Sequence, residues 1–138
     1  MIQELLIINK AGIALFYFNF LGKSKKKDNY QLIASFLDQI AHFTKLGLKD
    51  DLGIIMMSNY FYSYYKHKKS NLLIIFKCDK SNYENPKIIK KSLDIVAKKI
   101  SDNFFMKFKD EIEDFNGNIS RFKSFTKTIE DIFSSNHE

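Results

Sequence analysis

One cysteine, one proline, five glycines and no tryptophan occur in the 138 residues of this chain. A lone thiol, Cys78, excludes an internal disulfide framework and any zinc or iron–sulfur site built from several thiolates, so a reducing, cytoplasmic setting is expected. Cys78 itself is expected to act as a small buried hydrophobe. So few glycines and prolines argue against a sandwich or barrel of many short strands, which needs a turn residue every ~8–12 positions. Long elements with few breaks are expected instead. No apolar run approaches the ~18 uncharged residues that span a bilayer, and the start Met1-Ile2-Gln3-Glu4 lacks the basic opening of a signal peptide. Arginine is also nearly absent. Of 22 basic residues only Arg121 is Arg, whereas recognition of phosphates and bases favours the bidentate guanidinium, so the net charge of +6 is a poor sign of nucleic-acid binding. There is no GxxxxGK[ST] and no GxGxxG, and Gly12, Gly22, Gly47, Gly53 and Gly117 stand alone, so no phosphate cradle is expected.

What the chain does have is apolar bulk: 45% hydrophobic residues, with 14 Phe and 7 Tyr, enough for the core of a single domain spanning 1–138. Residues 3–9 and 13–20 read as strands around Asn9-Lys10-Ala11-Gly12, a tight turn. After a lysine-rich loop, Asp28 or Asn29 can cap a helix from Tyr30 to about Leu46, with Gly47 as its stop. Three further strands, 51–57, 60–67 and 71–78, are joined by connectors short enough to force an antiparallel meander. Asn85-Pro86 supplies a cap and a first-turn proline for a long helix, Asn116-Gly117 breaks it, and a last helix runs from about Ile119 to Phe133. The order is ββαβββαα.

Leu5-Leu6-Ile7-Ile8 and Leu72-Leu73-Ile74-Ile75-Phe76 show no polar alternation. Such runs mark strands covered on both faces, so the first and fifth strands should be central, with helices on either side of the sheet.

This order, the opening Ile7-Ile8-Asn9-Lys10-Ala11-Gly12-Ile13 hairpin, the Phe36-Leu37-Asp38-Gln39-Ile40 helix and the closing Phe122-Lys123-Ser124-Phe125 helix resemble the longin and roadblock superfamily over nearly the whole chain. Because the chain opens on a strand and ends on two helices, it is more similar to longin domains. The resemblance implies an α/β fold of the α+β type. Its single five-stranded antiparallel sheet would have the order 2-1-5-4-3, with one helix on one face and two on the other. It further implies a non-enzymatic interaction module, a homo- or heterodimer, that binds or helps regulate a small Ras-, Arf- or Rab-like GTPase or a trafficking-type complex. The family's contact surface, carried onto this chain, comprises Leu32, Phe36, Gln39 and Phe43 of the first helix and Leu52, Ile54 and Met56 of the third strand.

Residues able to do chemistry are few and scattered. His42, His67 and His137 share no helix face or ligand spacing, and none is expected to meet Cys78 or a carboxylate in a site. Asp50-Asp51 and Asp110, Glu111, Glu113 and Asp114 flank element ends and are expected to be solvated rather than catalytic. No catalytic residue, cofactor or metal is therefore assigned. Lys23, Lys25, Lys26 and Lys27 form one basic loop and Lys66, His67, Lys68 and Lys69 a second; the first is a candidate contact with an anionic membrane surface. Tyr60, Phe61, Tyr62, Tyr64 and Tyr65 resemble a stacking platform for single strands, but alternation sends them to both faces of a covered sheet. Two alternatives stand behind the interaction module. One is a small-molecule sensor of PAS-like layout, which needs a pocket of ~300 Å3 or more. The other is a nucleic-acid binder, resting on charge and aromatic content alone.

Overall fold

A computed structural model describes residues 2–22, 29–80 and 85–135. The elements run in the order β1 (Ile2–Ile8), β2 (Ala14–Asn19), α1 (Tyr30–Leu48), β3 (Ile54–Met56), β4 (Tyr60–His67), β5 (Leu72–Asp79), α2 (Pro86–Glu113) and α3 (Phe125–Ser135), with a 3-10 turn over Ser120–Ser124. All strand pairs are antiparallel and the sheet order is β2-β1-β5-β4-β3, as expected. The unalternated runs are the central strands: Leu5 pairs with Phe76, Leu6 with Ile75 and Ile7 with Ile74.

Side-chain alternation along β1 divides the core. Leu5 and Ile7 point to the layer of α2 and α3, whereas Leu6 and Ile8 point to α1. The first layer is a mass of rings. Phe104 lies 4.9 Å from Phe125, 5.0 Å from Phe108 and 5.4 Å from Phe122, and Phe16 meets Phe125 edge-on at 5.4 Å. Offset and edge-on contacts of this kind add to the burial energy of each ring. The α1 layer is thinner, since only Ala34 and Leu37 of that helix are fully buried.

Local chemistry explains the boundaries. Asn9 closes the first turn by accepting from the N–H groups of Ala11 and Ile13, both at 3.0 Å, and Gly12 takes the left-handed φ of 84° there. Asn85 accepts from Lys87 N–H and caps α2. Helix α1 does not stop at Gly47. It runs to Leu48 and ends when Lys49 adopts a left-handed conformation, with Asp50 N–H on Thr44 O. The expected single last helix instead begins as a 3-10 turn. With three residues per turn, i and i+3 are eclipsed, which brings Phe122 and Phe125 inward together. Strand β3 is shorter than the expected 51–57; Ile54, Ile55 and Met56 pair with Ser63, Tyr62 and Phe61, flanked by Tyr64 N–H on Gly53 O and Met57 N–H on Tyr60 O. Helix α2 is interrupted at Phe108 (φ −123°, ψ 28°), whose side chain joins the ring cluster.

Candidate interaction surface

Helix α1 is fixed to the sheet by polar contacts as well as by Ala34 and Leu37. Gln31 makes a two-way clasp with Ala14, accepting from its N–H and donating to its carbonyl at 2.8 Å each. Tyr64 donates from the sheet to Leu37 O at 3.1 Å, and Tyr17 stacks on Tyr30 at 4.9 Å. These contacts set the rotation of the helix, and the rotation leaves its outer side apolar.

Leu32, Phe36, Phe43 and Leu46 are between 56 and 73% exposed, and Leu48 is exposed as well. The positions 32, 36, 39, 43 and 46 are separated by steps of four, three, four and three, so Leu32, Phe36, Gln39, Phe43 and Leu46 form a single stripe. That is the seam spacing of helices that pack on one another, with a glutamine at its centre. Asp38 and Lys45 are the only full charges on the helix, joined by the exposed His42. Burial lifts the Asp38 carboxyl above its ordinary value, against the opposing pull of His42 and Lys66. An exposed helix ordinarily carries polar residues on its outer face, so this stripe is a candidate contact surface.

The strand residues expected beside it divide between the two faces. Leu52 packs with the α1 layer, as do Ile55 and Met57, whereas Ile54 packs against the α2 layer and Met56 shares that side while remaining exposed. The four helix residues therefore form one surface. Ile54 and Met56 lie on the edge strand and face away from the α1 layer, so the structure does not join them to the helix stripe. Leu46, the last residue of the expected helix, extends the stripe by one more step of three.

Elsewhere several expectations are corrected. His67 is buried and does meet a carboxylate, since its Nε2 lies 2.8 Å from Asp102 Oδ1 and its Nδ1 2.6 Å from Ser70 Oγ. In the neutral ring, Nε2–H donates to Asp102 and Nδ1 accepts from the Ser70 hydroxyl. Ser70 Oγ in turn accepts from Leu72 N–H at 3.2 Å, so the trio staples the β4–β5 turn to α2. Lys98 holds the second Asp102 oxygen at 2.9 Å, and these two partners, Lys98 first, hold the carboxyl below its ordinary value. Nothing in the sequence pairs positions 35 residues apart, so this cluster was not legible there. His42 lies 3.3 Å from Asp38 on the surface, and His137 falls outside the described residues.

Tyr62 and Tyr64 are buried against the α1 layer and Phe61 against the α2 layer, so β4 offers no stacking platform. Cys78 is buried, and desolvation pushes its thiol up to about 12. Lys23, Lys25, Lys26 and Lys27 lie outside the described residues. The carboxylates Asp110, Glu111 and Asp114, with Asn116, Asn118 and Arg121, line an open cleft of about 390 Å3 where α2 gives way to the 3-10 turn. Phe115 and Phe122 also line it, so the cleft opens to the surface and backs on the edge of the ring cluster. Among the described residues no group of His, Cys, Asp or Glu is placed to hold a metal ion, and no helix is long and apolar enough to cross a membrane.

Comparison with models of protein families and with curated proteins yields no match. Among solved structures, one similar fold is a chain of the mammalian SRP receptor, with a TM-score of 0.53 and 15% identity, covering 99% of this chain and 98% of that one.

Proposed function

We propose that this chain is a non-enzymatic interaction module of the longin type. In this reading it dimerises, with itself or with another protein, through the outer face of α1 and the open edge of β3. It works in the cytoplasm, at a membrane only through peripheral contact or a partner, and binds or helps regulate a small Ras-, Arf- or Rab-like GTPase or a trafficking-type assembly. One observation carries the reading: the uninterrupted stripe of Leu32, Phe36, Phe43 and Leu46 around Gln39 on a helix nearly free of charge. The similarity of fold to a chain of the mammalian SRP receptor supports the trafficking side of it. The choice of a GTPase as partner rests on the resemblance to longin domains.

The 4-3-4-3 spacing favours a helix as the facing element, because side chains so spaced interdigitate along a shared seam. Gln39, midway along the stripe, would fix the register by pairing with a polar group opposite. The test is light scattering after gel filtration on the wild type and on Phe36→Asp/Phe43→Asp, with circular dichroism as the check of folding. A dimer that becomes a folded monomer supports the reading for a homodimer. If the wild type is a monomer, binding to GTP- and GDP-loaded small GTPases is measured with the same variant, and equal affinity of the two proteins would remove α1 as the contact surface.

A further inference from the structure

The opposite side of the molecule carries a second exposed surface of different chemistry. Over the first part of α2, up to Asn103, the exposed side chains are Lys87, Lys91, Lys98 and Lys99, with Ile88 and Ile95, and the neutral Ser92 and Asn103. Ile88 and Ile95 are 70% and 72% exposed and lie two helical turns apart on one line. Neither acidic residue of this stretch is fully exposed. Asp94 is drawn to Lys90 at 2.6 Å, and Asp102 is held between His67 and Lys98. The His67 staple also brings the β4–β5 turn alongside, and with it the exposed Lys68 and Lys69. Beyond Phe108 the helix changes character, and Asp110, Glu113 and Asp114 return to the surface.

We propose that this face of α2, together with the β4–β5 turn, docks on an anionic lipid bilayer. A basic helical face with bulky apolar residues at its centre fits a surface that presents negative headgroups outside and hydrocarbon just beneath. The lysines approach the headgroups while Ile88 and Ile95 enter the interface. Lysine suits this task because its long stem lets the charge reach the headgroups while the methylenes stay among apolar groups. A nucleic acid would use the charge and leave the isoleucines in water; an acidic protein would do the same unless it also offered an apolar pocket. The surface is independent of the α1 stripe, which lies on the other face of the sheet, so either can fail alone.

The experiment is co-flotation of the full chain with vesicles of phosphatidylcholine alone and of phosphatidylcholine with phosphatidylserine. Three proteins are compared: wild type, Lys91→Glu/Lys99→Glu and Ile88→Ser/Ile95→Ser. All four positions are exposed, so folding is expected to persist, and circular dichroism checks it. Binding is expected only to the phosphatidylserine vesicles, weakened about 30-fold or more by the lysine reversals. The isoleucine variant is expected to lose the part of binding that survives high salt. Absence of binding to phosphatidylserine vesicles overturns the proposal. So does binding that the lysine reversals leave unchanged, or a response to the same variants seen only with a single-stranded RNA oligonucleotide.

Discussion

The two faces of the sheet are covered in opposite ways. On one, α2, the 3-10 turn and α3 bury Phe104, Phe122, Phe125 and Ile129 completely or nearly so, and α2 turns outward lysines interspersed with Ile88, Ile95 and Met106. On the other, α1 buries Ala34 and Leu37 and turns leucines and phenylalanines outward. The first face closes a core within the chain, whereas the second leaves the apolar stripe of α1 exposed. Apolar side chains on the surface are common singly; a continuous helical stripe of them is not what solubility alone would leave.

Truncating one ring on each face should affect the two faces very differently. Phe104→Ala is expected to cost about 3–5 kcal/mol, because the ring touches four others and the cavity would not close. Phe36→Ala, on the exposed stripe, is expected to change stability by less than about 0.5 kcal/mol at protein concentrations where the chain is monomeric. Urea unfolding followed by circular dichroism measures both. Equal losses would mean that α1 packs as tightly as α2, and the contrast would fall.

A smaller effect is expected at the staple. His67→Ala leaves Ser70 and Asp102 without their ring partner and is expected to cost about 1–3 kcal/mol, with faster amide exchange at Asn71 and Leu72. Unchanged exchange there would show that the turn is held by the sheet alone. Since the Asp102 carboxyl is held below its ordinary value, its share of stability is present above that value and is lost as pH falls through the lower folded value. The acid limb of the stability curve, below a pH of about 4, should therefore be shallower in Asp102→Asn than in the wild type.

The smallest signal comes from Cys78. Its thiol is raised by burial, so the neutral form belongs to the folded state; that contribution is intact below the unfolded value of 9.0 and lost as pH rises toward about 12. At pH 8 the native protein should resist a maleimide that labels it fully in denaturant, and rapid native labelling would show that this part of the α2 layer opens.

Much of the fold was legible because its signals are local. Unalternated apolar runs marked β1 and β5 as central, and Asn85-Pro86 marked the start of α2 where the structure has it. Boundaries were less so. Gly47 weakens a helix without ending one, and the halt at Lys49 depends on a backbone conformation that no residue type there announces. The α1 stripe could be counted from the sequence through Phe43, since a helical period needs no tertiary information.

Sequence by itself determined the order of the elements, the antiparallel meander, the central pair of strands and the periodicity of α1, because each follows from backbone sterics and the spacing of apolar residues along the chain. Tertiary structure alone decided the direction in which each period points. It turned Ile54 away from α1, set His67 against Asp102, paired Asp94 and Asp102 with lysines of α2, and fixed the β4–β5 turn to that helix. These are pairings across long stretches of chain, fixed by how the layers pack, and a one-dimensional pattern does not record which faces will meet.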